Sequence, residues 1–468
     1  MAAPRPDIAP LLAHLDADRD GALARLFELM RVPSVSTDPA YAADCRRAAE
    51  WLRADLTFLG FDARLVEAGP LGVEGGHPIV LAEGGDGGPH LLFYGHYDVQ
   101  PIDPRALWTH DPFAPELQER DGRQVIGGRG AVDDKGQVMT FLEALRAFHT
   151  VEGRLPCRLT VVIEGEEESG GRTLTQLLAS DPDALRADLA LVCDTGMWDA
   201  DTPAITTQLR GNCTEEVTVR AASHDLHSGM YGSAAANPIH ELTKALAGLR
   251  DPRGRITLDG FYDGVPEISD ALRADWDALG FDAAAFLGAI GLQTPAGETD
   301  RSALEQIWSR PTAEVNGIWG GYTGAGFKTV IPAEAHAKVS FRLVGDQDPE
   351  TVRKAFRAHM QAAIRADCRV EFTAHGGAQA ITMDTSAPAF ATARAALTEE
   401  WGKRAAMIGI GGSIPVVGEF KRQLGMDSLL VGFGLTDDRM HSPNEKYDLS
   451  CFQKGARSWV RILHALTR

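Results

Sequence analysis

The chain has 468 residues, of which 44% are hydrophobic and 24% charged, and a formal net charge of -19. That length is too great for one compact core and predicts two or three domains of ordinary globular composition. The acidic excess, 65 Asp and Glu against 46 Lys and Arg, excludes a phosphate-binding surface and so a nucleic-acid partner, and makes divalent cations more natural ones.

Apolar residues recur at helical spacing over 8–32 (Leu11, Leu12, Leu15, Leu23, Leu26, Phe27, Met30) and again over 43–59, which predicts two amphipathic helices. Residues 1–20 lack an apolar signal core, and no apolar run is long enough to span a bilayer. The six cysteines are scattered, with no Cys-x-x-Cys pair, so neither a thiolate metal site nor a disulfide framework is signalled. The expectation is a thiol-reduced cytoplasmic protein with no membrane partner.

Short strands are expected over 63–67 and 78–82, and a buried one over 90–99, where Leu91-Leu92-Phe93-Tyr94 is continuously apolar. This last strand carries Gly95-His96-Tyr97-Asp98. Residues two apart share a strand face, so Asp98 can accept from one ring nitrogen of His96 while the other faces a metal. A hydrogen-bonded histidine at a strand end is the competing reading.

The glycine-rich loop 127–136 follows, with Asp133 and Asp134 adjacent. Neighbouring carboxylates repel, and one of them shared between two metal ions would offset that cost. An acidic turn, with Asp134 serving the free amides of a helix over 137–149, explains the same residues.

The run 158–164 is a second buried strand and feeds into Glu164-Gly165-Glu166-Glu167-Glu168-Ser169-Gly170-Gly171. Adjacent carboxylates there can divide labour, one binding metal and its neighbour activating water. The pattern repeats at 189–194, which ends in Asp194, and at 428–433, followed by Met440-His441-Ser442-Pro443-Asn444-Glu445. Four buried strands thus deliver a His, Asp or Glu at or just past their carboxyl ends, where open α/β sheets gather their active sites.

Between about 208 and 387 the texture changes. Strand signals at 216–220, 336–343 and 370–373 surround helical stretches at 238–249 and 349–366, while 199–204 and 251–269 read as surface loops. The expected organisation is a catalytic domain in two parts, 1–208 and 388–468, with an α+β domain, 209–387, inserted between them.

With His96-Tyr97-Asp98, Asp133-Asp134-Lys135-Gly136, Glu167-Glu168-Ser169-Gly170, Asp194 and His441 in this order, the chain resembles the di-zinc exopeptidase family of carnosinases, cytosolic non-specific dipeptidases, aminoacylase-1 and carboxypeptidase G enzymes. The resemblance implies an α/β fold: a three-layer catalytic domain on a mixed sheet, with an inserted α+β lid and dimerisation domain. It further implies that His96, Asp133 and Asp194 hold one zinc and that Asp133, Glu168 and His441 hold the other, with manganese or cobalt able to use the same ligands. Glu167 then matches the general base, and Asp98 the partner of His96.

Within the inserted domain, Asp225-Leu226-His227-Ser228-Gly229 resembles the dipeptidase segment whose histidine reaches the substrate carbonyl in the other subunit of a homodimer. Lys328-Thr329-Val330-Ile331-Pro332 and Ser340-Phe341-Arg342 resemble the elements that hold the substrate's C-terminal carboxylate, for which a guanidinium fork is apt. Gly411-Gly412-Ser413 resembles a substrate-contacting loop with Ser413 as its polar contact. Dipeptidases of this kind carry an acid at the place of Ile410, where it helps fix the free amino group; an apolar side chain cannot pair with an ammonium. The implied reaction is metal-dependent hydrolysis of dipeptides or short peptides with a free C-terminal carboxylate, with deacylation of N-acyl-amino acids as the alternative.

Overall fold

The computed structural model describes residues 7–412 and 414–467. The chain divides into two compact units. One comprises the residues up to Thr207, Met383–Ile408 and everything from Glu419; the other comprises Gln208–Thr382 and Gly409–Gly418. The strands that position functional residues are, in chain order, β1 (Asp62–Val66), β2 (Ile79–Gly84), β3 (His90–His96), β4 (Arg158–Glu164), β5 (Leu189–Val192), β6 (Ala204–Leu209), β7 (Gly211–Arg220), β8 (Thr312–Gly320), β9 (Glu334–Leu343), β10 (Arg369–Ala378) and β11 (Ser428–Leu430).

In the first unit the sheet order is β1-β2-β4-β3-β5-β11-β6. β3 is parallel to β4 and β5, and β11 is parallel to β5, whereas β1, β2 and β6 join antiparallel. The four central strands therefore end at one edge, with His96 in register with Glu164 and Tyr94 with Val192. Both faces are covered, which is why these strands read as continuous apolar runs. Phe93 stacks on Phe141 of the helix Lys135–Glu152 with centroids 3.7 Å apart and meets Trp459 of the helix Leu449–Leu466 edge-on. Tyr94, on the opposite side, meets Phe420. Each such ring contributes on the order of 1.5–3 kcal/mol by leaving water.

In the second unit β7–β10 form a four-stranded antiparallel sheet in the order β8-β9-β7-β10. β9 alternates between buried Ala335, Ala337, Val339, Phe341, Leu343 and more exposed His336, Lys338, Ser340, Arg342. The apolar face packs against the helices Pro238–Ala247 and Pro349–Ala363 through Leu242, Ala245, Phe356 and Met360.

Three expectations need correction. The helix expected over 8–32 is two, Ala9–Ala17 and Arg19–Met30, broken at Asp18, whose carboxylate pairs with Arg25 at 2.7 Å. The segment 251–269 has no helix or strand, yet it is no surface loop: Ile256, Leu258 and Phe261 are buried in the second unit's core. Pro252 and Gly254 break the periodicity that would have revealed it. Finally, the chain changes units at 207/208 and 382/383, and 409–418 joins the second unit rather than the first. Gly409 packs so close to Trp308 that a Cβ there would sit 2.7 Å from the Trp308 Cβ, and the Arg210 N–H donates to the Ile410 carbonyl at 3.3 Å.

Candidate metal centre

The parallel strands place three functional segments side by side. β3 ends at His96, earlier than the sequence suggests, so His96 and Asp98 meet just past the end of the strand rather than along its face. The ring nitrogen Nδ1 of His96 lies 3.1 Å from the Asp98 carbonyl oxygen and 3.3 Å from Asp98 Oδ1. The carboxylate of Asp98 has further partners. It accepts from Ser36 Oγ at 2.6 Å and from the backbone amides of Glu167 at 3.2 Å and Glu168 at 3.0 Å. One buried anion thus fixes both the His96 ring and the turn that carries the acidic pair.

The loop 127–136 is folded around a different carboxylate. Glu445, fully buried, pairs with buried Arg129 at 2.7 Å and accepts the backbone N–H groups of Gly130, Val132 and Asp133 at 3.1, 3.0 and 3.3 Å. The loop can wrap this anion because Gly130 takes φ +79° and because Gly136 passes where a Cβ would lie 1.9 Å from the Ala131 carbonyl oxygen. Asp134 occupies the N-cap position of the helix Lys135–Glu152, but its side chain does not cap it. Its Oδ2 instead accepts the backbone N–H of His96 at 3.1 Å, and burial, reinforced by Asp194 and Asp133, pushes its carboxyl well above the usual range.

These supports bring five side chains together. Ligand atoms of His96, Asp133 and Asp194 lie within 4.8 Å of one another, and so do those of Asp133, Glu168 and His441. Asp133 belongs to both groups: its Oδ1 is 3.1 Å from His96 Nε2 and its Oδ2 is 2.9 Å from His441 Nε2. His441 also lies 3.3 Å from Glu168 Oε1. Gln100 Nε2 donates to the other Glu168 oxygen at 2.6 Å.

Electrostatically the cluster is overloaded with anions. Burial, opposed by His96 and reinforced by Asp194 and Glu168, raises Glu167 to about 8; burial, with Asp133 and Glu168, raises Asp194 to about 6. Burial also acts on Asp133, but the imidazoles of His441 and His96, beside its two oxygens, hold it below the usual carboxylate range. His96 Nε2 and Glu168 Oε1 are buried without a hydrogen-bond partner, although Asp133 and His441 lie 3.1 and 3.3 Å from them. Unpaired buried donors and acceptors are costly. Imidazole nitrogens and carboxylate oxygens at this spacing fit two divalent cations sharing one aspartate.

In the second unit, His227 and Thr329 are exposed neighbours. His227 pairs with Val330 in a two-residue ladder, Ser228 N–H donates to the Thr329 carbonyl at 3.0 Å, and His227 Nδ1 accepts from Gly229 N–H at 3.0 Å. Arg342 stands on the polar face of β9 opposite Asn212. Ser413 lies outside the described residues. Sequence reasoning passed over Ser36, Gln100, Arg129 and Glu445; only Glu445, four residues past His441, carried a local signal.

Comparison with known proteins follows the same lines. Residues 92–465 match the peptidase family M20/M25/M40. The chain is 31% identical over 473 residues to the Cys-Gly metallodipeptidase DUG1 of Candida albicans, covering 98% of this chain and 97% of that one. It is 30% identical over 444 residues to the cysteinylglycine-S-conjugate dipeptidase of Corynebacterium striatum, covering 93% of each. The crystal structure of human carnosine dipeptidase 1 superposes with a TM-score of 0.79 at 27% identity, over 99% of this chain and 100% of that one.

Proposed function

The chain belongs to peptidase family M20/M25/M40 and is a metallopeptidase, and from that premise we propose that it hydrolyses dipeptides with a free C-terminal carboxylate at a centre of two zinc ions. The observation that carries this reading is the Asp133 carboxylate, with one oxygen toward His96 and the other toward His441. His96, Asp133 and Asp194 would hold one ion, and Asp133, Glu168 and His441 the other. When bound, the ions supply a water acidified toward neutrality and positive charge for the developing oxyanion.

The chain's own residues do the rest. Glu167 takes the proton of the attacking water and returns it to the leaving amine. Asp98 keeps His96 in the tautomer that leaves Nε2 free, and it holds the backbone of Glu167 and Glu168 in place. His227 donates to the substrate's carbonyl oxygen, while Thr329, Arg342 and Ser413 bind the substrate, Arg342 as the fork for its carboxylate.

His227 acts across a homodimer in this reading. The edge strand β8 supports such an assembly: it exposes Val315, Ile318 and Trp319, an apolar edge that invites a partner strand. A reducing cytoplasm suits the cysteines, all of which are free, and among the described residues no helix is long and apolar enough to cross a membrane.

The relatives named above are dipeptidases, so the deacylase alternative raised by Ile410 is not favoured. Turnover of a free dipeptide and of its N-acetylated analogue, before and after chelation and zinc return, tests the reading. The free form should be cleaved in a zinc-dependent way; cleavage of only the acetylated form would remove it.

A further inference from the structure

Half-buried arginines of the second unit have carboxylate partners as a rule. Arg353 pairs with Glu215 and Glu350, Arg310 with Glu298, Arg301 with Glu267, and Arg250 with Glu314. Arg210 and Arg342 depart from it: neither has an ion-pair partner among the described residues, and the Arg210 Nε is buried without any hydrogen bond.

The two belong to one surface. Arg342 stands opposite Asn212 in the β9–β7 ladder, and Arg210 lies two residues before Asn212, at the junction of β6 and β7. Arg210 lies along the glycine loop, where a Cβ on Gly411 would come within 2.8 Å of its Nη2. It also walls a cavity of about 150 Å³ whose other polar walls are Gln208, Ser269, Ser309, Thr382 and Glu267, the last already held by Arg301. Burial and the charge of Arg342 lower the Arg210 guanidinium to about 10, against the opposing pull of Glu314, a carboxylate already paired with Arg250.

A single α-carboxylate answers only one of these charges. We propose that Arg210 and Arg342 form a two-cation subsite selecting dipeptides whose C-terminal residue bears a second carboxylate, aspartate or glutamate. This rests on the reading that Arg342 receives the substrate's α-carboxylate. The cavity beside Arg210 gives the acidic side chain room, with hydroxyl and amide donors around it.

Matched substrates test this. Wild-type kcat/KM for Ala-Glu should exceed that for Ala-Gln by about tenfold or more, since a subsite built for a charge rejects the neutral isostere. Arg210→Gln should bring the ratio close to one, mainly through KM for Ala-Glu, and Arg210→Lys should recover part of it. A wild-type ratio of one, or a ratio that survives Arg210→Gln in a folded protein, overturns the subsite. Product binding gives a readout independent of turnover: free L-glutamate should raise the wild-type Tm more than L-glutamine does, and Arg210→Gln should erase the difference. Equal shifts overturn the subsite, whereas unequal shifts in a protein that cleaves no dipeptide would uphold it and remove the dipeptidase reading.

Discussion

Glu445 accepts the backbone amide of Asp133 at 3.3 Å, so a residue four places past His441 holds the residue that His441 faces. The same carboxylate takes two more amides of that loop and the guanidinium of Arg129. Glu445→Gln keeps the shape but replaces one accepting oxygen with a donor, which should splay the loop amides. The expected outcome is a loss of metal affinity of about 10–100-fold with the fold retained. Chelator competition beside circular dichroism measures both; unchanged affinity would show that the loop holds its form unaided.

Glu167 is the acid whose removal should separate binding from chemistry. Glu167→Gln leaves the five side chains proposed to hold metal in place, so metal content should match the wild type while kcat falls by at least about 100-fold. Elemental analysis together with turnover of a dipeptide checks this. A variant that loses metal as well would make Glu167 a ligand rather than a base.

His227 in trans has a quantitative signature. His227→Ala and Asp133→Ala should each be inactive, yet a mixture refolded at equal concentration should recover about one quarter of the wild-type sites, from random pairing into dimers with one complete site each. No recovery would confine His227 to its own subunit.

Glu164 makes a pH prediction away from catalysis. Burial, although opposed by the hydrogen bond from Tyr94 OH at 2.7 Å, raises this carboxyl to about 8. Its folded pKa lies above the unfolded value, so the folded chain keeps a proton that the unfolded chain has lost. The associated stability is complete below about pH 4.5 and is lost as pH rises through 8, at up to about 1.4 kcal/mol per pH unit. Glu164→Gln, neutral throughout, should therefore gain in Tm relative to wild type between pH 6 and pH 9. Parallel Tm curves over that range would refute it.

Strand-end chemistry was legible because it is local. His96, Glu167, Glu168 and Asp194 each follow an apolar run that can only be a covered strand, and parallel pairing then brings the ends together. Long-range supports were not legible. Glu445 and Asp133 are 312 residues apart, Gln100 and Glu168 are 68 apart, and nothing in either neighbourhood records that the other exists. Asp134 shows the converse failure, since its position before a helix suggested capping while its carboxylate turned to the His96 amide. The ten residues 409–418 were misassigned for a related reason: their packing on Trp308 and Arg210 depends on residues a hundred or more positions away.

That short excursion has a practical consequence. The second unit is discontinuous, and a fragment cut at 208 and 382 would lack the glycine stretch that packs over Trp308. An excised lid would carry an unsealed aromatic side chain, and a chimera exchanging lids between relatives would have to transplant two pieces of chain in step. The backbone thus passes between the two units at four points, and swapping modules at two of them leaves part of the second unit behind.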